Sequence, residues 1–367
     1  MKKDFKYGYD DISIVPEEIT NISSRNECNP YDENGMLPIF AAPMGAVIDE
    51  DNIELFLKNK INVVIPRTIP LQRRMELGLK YNVFVALSLA EAERGLTETG
   101  FFKYKNKYKI CIDIANGHMG KLIDVCRDLK RLEGRQITLM AGNIANPKTY
   151  KYYDAAGIDY VRCGIGGGSA CITSSNTGTF YAYFSLIEEI YSEKLRIRGK
   201  CKIIADGNIK GYGDIQKALI FADYVMIGGL FNRFLESAGR TLYGKRYFTV
   251  RGYKILRPLT TLLTYGKEIP KSKYDKIWKL ISANKLTVWK EMYGMSTKKA
   301  QKKLDSNAKT KTSEGKVFYQ KVDNTIAGWV ENETDFLRSA MSYTNSRTLE
   351  EFHDCEYIIN HGFYYNR

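Results

Sequence analysis

Histidine is scarce, with three in 367 residues. So small a supply of imidazole argues against a histidine-rich metal centre, because His is the commonest transition-metal ligand. Cysteine offers no replacement: the seven, at 28, 111, 126, 163, 171, 201 and 355, are odd in number and form no C-x-x-C pair. Most of them sit in or beside apolar runs, which excludes a disulfide framework and a zinc site and reads as reduced, buried thiols. Only Cys171 lies in a glycine-rich stretch. Apolar runs approaching the ~20 residues of a bilayer-spanning helix are missing as well. Met1-Lys2-Lys3-Asp4-Phe5-Lys6 leads into no signal-like apolar segment. The expectation is a cytoplasmic protein with no membrane partner.

What is present is a 44% hydrophobic, 26% charged chain, the composition of a soluble globular protein with a sizeable core. The net charge of +13 invites a nucleic-acid reading. Much of that excess, however, falls in residues 271–290 and 298–316. A solvated lysine-rich surface that also attracts anionic nucleotides is the simpler account, and nucleic acid is not the expected partner.

From residue 38 to 230, short apolar runs alternate with helix-like segments. Strand candidates are 38–44, 62–65, 83–87, 109–114, 137–141, 160–163, 202–205 and 224–227, eight in all. Amphipathic stretches at 50–58, 122–132 and 180–192 read as helices between them. Eight such units in series predict a (β/α)₈ TIM barrel, whose strands are continuous and apolar because both faces are covered. The residues that follow the strands fit that topology: Met44-Gly45, Arg67-Thr68, Asp113, Gly142-Asn143, residues 164–171, Asp206-Gly207-Asn208 and Gly228-Gly229. A doubly wound sheet, the alternative, does not call for polar or glycine residues at so many strand ends. Residues 1–37 are expected to cap or skirt the lower end. Residues 253–290 read as a basic insertion, 295–315 as a mobile active-site flap, and 324–341 as a closing helix with Ile326, Trp329, Val330 and Phe336 on its apolar face.

Residues 164–168 contain four glycines, followed by Ser169, Cys171 and Thr173. Backbone N–H groups uncovered by Cβ atoms let a phosphate approach the main chain. Gly228-Gly229, two strands later, would share that pocket on the same rim. Asp206 between them is placed to accept ribose hydroxyls, although an Asp-Gly pair is also an ordinary tight turn. A thiolate beside such N–H dipoles is a strong nucleophile, Thr173 brings a hydroxyl, and Glu314 is the flap's candidate carboxylate. Read separately, the loop is equally compatible with a half-buried structural cysteine, and Glu314 with a solvated loop charge.

Several stretches resemble, in order, the motifs of the IMP dehydrogenase/GMP reductase family. They are Tyr9-Asp10-Asp11, Ala41-Ala42-Pro43-Met44, Asp113-Ile114-Ala115-Asn116-Gly117-His118, Met140-Ala141-Gly142-Asn143-Ile144, residues 164–173, Asp206-Gly207, Tyr293-Gly294-Met295-Ser296 and Ser313-Glu314-Gly315-Lys316. The similarity covers nearly the whole chain, and the glycine loop ending in Ser-x-Cys-x-Thr is its most specific part. The resemblance implies a (β/α)₈ fold, a homotetramer, and a purine nucleoside monophosphate substrate attacked at C2 by Cys171. It implies that Thr173 and Glu314 assist proton transfer, and that Asp113, Asn116, Gly117 and Asn143 hold a nicotinamide cofactor. Met44, Ser169, Asp206, Gly207, Gly228, Gly229, Tyr293, Gly294, Met295 and Ser296 would then bind substrate. A K⁺ ion at Gly164, Gly166 and Cys171 is a further implication.

The family's dehydrogenases use a flap Arg-Tyr pair to activate water, and residues 295–316 contain neither arginine nor tyrosine. The expectation is therefore NADPH-dependent reductive deamination, GMP to IMP plus ammonia. The alternatives are NAD-dependent oxidation of IMP, or a divergent nucleotide-binding protein with a basic partner surface. Gly45, Ala41, Gly167, Ile172, Ser174 and Asn208 stand where the family usually has Asp, Ser, Pro, Thr, Arg and Gly. These departures are compatible with an altered guanylate.

Overall fold

A run such as Asn62-Val63-Val64-Ile65 finds cover for both faces only between other layers, and a closed barrel supplies it. The computed structural model describes residues 5–103, 106–132, 136–244, 247–250, 253–256, 271–304 and 315–360. Its strands are β1 (Ile12–Ile14), β2 (Ile39–Ala41), β3 (Asn62–Ile65), β4 (Phe84–Leu87), β5 (Lys107–Asp113), β6 (Gln136–Ile144), β7 (Tyr160–Cys163), β8 (Lys202–Asp206), β9 (Tyr224–Ile227), β10 (Thr241–Gly244), β11 (Tyr247–Val250), β12 (Tyr253–Leu256), β13 (Thr287–Tyr293), β14 (Val317–Lys321) and β15 (Tyr357–Ile359). Its helices are α1 (Ile53–Lys58), α2 (Leu71–Tyr81), α3 (Leu89–Thr97), α4 (Gly120–Lys130), α5 (Tyr150–Ala155), α6 (Thr173–Thr177), α7 (Tyr183–Ile197), α8 (Tyr212–Leu219), α9 (Tyr274–Ser282), α10 (Lys298–Leu304), α11 (Ile326–Tyr343) and α12 (Leu349–Phe352).

Strands β2 to β9 pair in sequence order, all parallel, and β9 closes on β2. This is the (β/α)₈ barrel that the periodicity predicts. β5 and β6 run longer than expected because their ladder is unbroken from Lys107–Gln136 to Asp113–Gly142. Inside, Phe40, Phe84, Tyr160 and Tyr224 pack edge to face or tilted, at centroid separations of 5.1–6.2 Å, and plug the barrel. The interior is filled, so a ligand has to bind at the open end of the strands, where the side chains turn polar.

The amino-terminal segment does two things. Asp32 accepts from the Tyr224 hydroxyl at 3.0 Å and Glu33 pairs with Lys202 at 2.7 Å, which sets this stretch against the strand bases. Tyr9 instead packs on Tyr183, and Asp10 pairs with Lys210 on the opposite rim. β1 is antiparallel to β15, so the two ends of the described chain tie each other down.

Beyond the barrel, β10, β13 and β14 form an antiparallel sheet with β13 in the centre. Residue 290 therefore lies inside a sheet strand, although the sequence reading ended an insertion there. The Tyr274, Ile277, Trp278 and Ile281 side chains of α9 pack on Leu235, Val288 and Val322. The expected flap begins with a helix, α10; residues 305–314 lie outside the described residues.

The closing helix is α11, with one difference in its buried face. Phe336 is 46% exposed, whereas Ile326, Trp329, Glu333, Leu337 and Met341 are buried at i, i+3, i+4 spacing. The polar member, Glu333, accepts from Gln216 Nε2 of α8 at 3.2 Å. Among the described residues, Glu333 Oε2 and Gln216 Oε1 have no partner. Burial pushes the Glu333 carboxyl well above the usual carboxylate range, only partly offset by Gln216. A neutral acid donates from Oε2, the ionised form cannot, and the unfolded chain ionises freely.

A group raised in the folded state stabilises below its unfolded pKa, and that contribution is lost as pH rises through the folded value. Glu333→Gln keeps the donor without the titration. It is expected to raise stability at about pH 7–8 by on the order of 1 kcal/mol or more, each pKa unit being worth about 1.4 kcal/mol. The gain should vanish near about pH 4. Urea unfolding of both proteins across that range measures it.

Candidate active site

The upper ends of four consecutive barrel strands carry one polar cluster. Arg162, buried in β7, donates from Nη1 to Asp113 Oδ1 at 2.7 Å. It also donates from Nε and Nη2 to Asp206 Oδ2 at 3.0 and 2.8 Å. Arg67, after β3, reaches Asp113 Oδ2 at 3.4 Å. Asn143 at the end of β6 gives its two amide hydrogens to Asp206 Oδ2, at 2.7 Å, and to Gly164 O, at 2.9 Å. Burial pushes the Asp113 carboxyl up, but the charges of Arg162 and Arg67 outweigh it and hold the carboxyl below the usual range. For Arg162 burial acts downward, and Asp206 and Asp113 carry it well above its ordinary value.

The glycine loop stands on this cluster. Gly167 donates its N–H to the Tyr183 hydroxyl at 2.8 Å, and a Cβ there would sit 2.4 Å from the Tyr183 ring. Proline, which the family usually has here, lacks that N–H and carries that carbon, so Gly167 and Tyr183 belong together. Further along, Cys171 is half-buried and its Sγ–H donates to Thr173 Oγ1 at 3.2 Å. Gly315 forms an antiparallel bridge with Cys171, and Lys316 N–H donates to Ala170 O at 3.0 Å. The strap that leads into β14 therefore lies directly on the cysteine loop.

These elements line a cavity of about 630 Å³, within the range of small-molecule sites. Among the described residues, no hydrogen bond occupies the amides of Gly168, Ser169, Gly228 or Gly229. The two glycine clusters meet, since a Cβ on Gly229 would lie 2.5 Å from Ser169 Oγ. Unoccupied N–H groups and a hydroxyl side by side are the groups from which anion sites are built.

Most sequence candidates share this cavity: Met44, Asp113, Asn143, Gly164, Gly166, Ser169, Cys171, Thr173, Asp206, Gly207, Gly228, Gly229, Gly294, Met295 and Ser296 line it. Three do not. Tyr293 is buried. Gly117 donates to Asn143 O at 2.8 Å and accepts from the Tyr153 hydroxyl at 2.7 Å, so it buttresses Asn143 from behind. Asn116 accepts from the His118 N–H at 3.1 Å, on an exposed turn. Glu314 lies outside the described residues.

Two of the three positions expected to hold K⁺ already serve donors of the protein with their carbonyls. Gly164 O already accepts from Asn143, and Gly166 O accepts from Ser174 Oγ at 3.1 Å. These two carbonyls each accept a hydrogen bond from a side chain of the loop's own surroundings. Among the described residues, no group of three or more His, Cys, Asp or Glu could hold a metal, and no helix is long and apolar enough to cross a membrane.

Sequence reasoning passed over Arg162, Tyr183, Lys210, Arg233 and Gln320, all at this cavity. For Arg162 a signal existed: a lone guanidinium inside the apolar run Tyr160-Val161-Arg162-Cys163 has to point into a polar barrel mouth or break the core.

Fold and site together define a (β/α)₈-barrel protein with a glycine-rich rim and a cysteine at the mouth. A family model described as IMP dehydrogenase / GMP reductase domain matches residues 97–275. A GMP reductase of Staphylococcus saprophyticus is 33% identical over 254 residues, 66% of this chain and 75% of that protein. One of Streptococcus suis is 32% identical over 280 residues, 69% of this chain and 83% of its own. One of Staphylococcus carnosus is 28% identical over 375 aligned positions, 98% of each chain. The chain belongs to the IMP dehydrogenase/GMP reductase family.

Arg162→Met would leave Asp206 without its guanidinium partner and Asp113 with Arg67 alone. Removing one partner of such a cluster is expected to cost about 3–5 kcal/mol at about pH 7. Asp113, depressed in the fold, contributes stability above the usual carboxylate pKa and loses it as pH falls. The difference between the two proteins should therefore shrink towards about pH 3, and denaturant titrations at both pH values measure it.

Proposed function

We propose that this chain is a GMP-reductase-like enzyme, carrying out NADPH-dependent reductive deamination of a guanine nucleotide. The observation that carries the reading is Cys171 Sγ, 3.2 Å from a hydroxyl, in the same cavity as a set of unoccupied amides. Phosphate on those amides and ribose on Asp206 would bring the purine across the mouth towards Cys171. Asp206 Oδ2 accepts three hydrogen bonds from Arg162 and Asn143, which fixes the carboxylate and leaves Oδ1 for sugar hydroxyls.

Cys171 Sγ then bonds to C2 of the base, and the 2-amino group leaves as ammonia after gaining a proton. Thr173 Oγ1 is within reach to relay that proton. Glu314, which directly precedes the Gly315 bridge to Cys171, is its proposed source. A reduced nicotinamide supplies hydride to C2, and the C–S bond breaks to return the thiolate and IMP. The residues present fit such a cofactor. Around the rim, the Asp113-Ile114-Ala115 turn and Asn143 lie on one side of the cysteine loop, and Asp206 and Gly228 on the other. Asn143 commits both amide hydrogens, so what it has left to offer a ligand donor such as a carboxamide is its Oδ1. The missing Arg-Tyr pair in residues 295–316 favours loss of ammonia over attack by water. A homotetramer belongs to this reading and is open to sedimentation analysis.

Incubation with GMP and NADPH, and separately with IMP and NAD, followed at the absorbance of reduced nicotinamide, tests the reading. GMP-dependent oxidation of NADPH is expected, and reduction of NAD with IMP would overturn it. Silence in both assays, with tight, steeply salt-dependent binding of RNA or DNA, would favour the partner-binding alternative. Cys171→Ala should abolish turnover while holding GMP affinity within about threefold, because it removes only the bond-forming atom. Glu314→Gln should lower turnover by about 10²-fold, the usual scale of general acid catalysis.

A further inference from the structure

Tyr183 opens α7, and its ring is set among the glycines of two loops. A Cβ on Gly164 or on Gly167 would lie 2.4 Å from the Tyr183 side chain, and one on Gly207 would lie 2.9 Å from its hydroxyl. Gly164 and Gly207 both have positive φ, at +135° and +115°, so glycine is what lets the two main chains close round an aromatic ring. Asn208 N–H donates to Gly167 O at 3.1 Å, and Gly167 N–H donates to the Tyr183 hydroxyl at 2.8 Å. The phenol oxygen therefore sits at the seam where the cysteine loop meets the loop after β8.

Tyr183 is 1% exposed, and it lies against the cavity. Its oxygen accepts one hydrogen bond, but among the described residues nothing accepts the hydrogen it carries. Burial, with Asp206 nearby, pushes the phenol up, so the hydrogen stays on the oxygen at neutral pH. A buried donor without an acceptor is costly, and the cavity is the side from which an acceptor can come. The next two amides along the chain, those of Gly168 and Ser169, are without a protein acceptor too. Sugar hydroxyls can donate to Asp206 Oδ1. A row of donors calls instead for a group of several anionic oxygens, and on a nucleotide that group is the phosphate.

We infer that Tyr183 is a phosphate-binding residue of this site: its hydroxyl hydrogen donates to the 5′-phosphate of a purine nucleoside monophosphate, while its oxygen accepts from Gly167. This rests on the nucleotide reading above and deepens it. No bond is made or broken at the tyrosine. The phenol carries the Gly167 N–H one hydrogen bond further, whereas a proline at 167 would have no N–H to pass on.

Tyr183→Phe keeps the ring against the glycines and removes the hydroxyl. Calorimetry on both proteins compares GMP with guanosine and IMP with inosine, and kinetics compares the KM for GMP with that for NADPH. The variant should bind both nucleotides about tenfold or more weakly, the scale of one hydrogen bond to a charged group, with the nucleosides little changed. The KM for GMP should rise and that for NADPH should not. Alkylation of Cys171 by iodoacetamide without nucleotide should keep its rate, because Asn208 still holds Gly167.

Unaltered nucleotide affinity, or an equal loss for nucleotide and nucleoside, overturns the inference. So does faster alkylation of Cys171, which would show that the hydroxyl only holds the loop, and so does an effect confined to the KM for NADPH. A wild-type protein that binds neither nucleotide more tightly than its nucleoside overturns it outright. Failure here leaves the reductase reading standing wherever GMP still drives NADPH oxidation. Oxidation of IMP with NAD and no turnover of GMP defeats that reading, and the ratio of IMP to inosine affinity still decides the role of Tyr183.

Discussion

A single buried guanidinium holds the working end of the barrel together. Arg162 connects Asp113 of β5 to Asp206 of β8, while Arg67 after β3 and Asn143 of β6 complete the ring. Taking such charges from water costs several kcal/mol per ion, and only good geometry with further hydrogen bonds repays it. The geometry is available because parallel strands deliver their last residues to one plane, each neighbour about 5 Å away. The aromatic plug below matters equally, since Phe40, Phe84, Tyr160 and Tyr224 fill the lower barrel and exclude the water that would otherwise solvate the cluster from beneath. Charge at the top and rings at the bottom are complementary solutions to one closed sheet.

Rigidity passes from this ring to the loops that face a ligand. Asn143 binds Asp206 and Gly164 at once, so the start of the glycine loop inherits its position from the charge cluster. Tyr183, at the first turn of α7, holds the middle of the loop through Gly167 and packs on Tyr9 of the amino-terminal segment. The end of the loop is strapped by Gly315. Three contacts from three distant parts of the sequence thus fix a stretch whose composition alone would leave it loose.

The barrel was legible because its signal is repetitive: β3, β7 and β9 begin and end where the apolar runs do. Residues that end a strand were legible too, since polarity changes there. Arg162 was not, because reading Tyr160–Cys163 as a covered strand treats it as a unit, and one charge does not disturb the average. The same averaging chose Phe336 over Glu333 for the buried face of α11. Hydrophobicity favours the phenylalanine; helical spacing from Trp329 places the glutamate inside, where Gln216 meets it. The basic stretch near 290 read as an insertion because its lysines mask alternation. In β13, Lys290 is itself buried and donates to Ser237 O. Pairwise contacts between remote segments decide all three cases, and a linear pattern does not contain them.

The cysteine loop shows how a run of glycines becomes a site. Its polar groups divide into two sets. Gly164 O, Gly166 O and the Gly167 N–H are taken by Asn143, Ser174 and Tyr183, all protein partners. Gly168 and Ser169 line the cavity with Gly228 and Gly229, and among the described residues their amides have no protein acceptor. Buried backbone groups must be paired, so the inward set pins the loop, and the outward set is left to a ligand. Ser174 has a particular part in that division. By donating a neutral hydroxyl to Gly166 O, it lets the loop keep its shape with this chain's own donors.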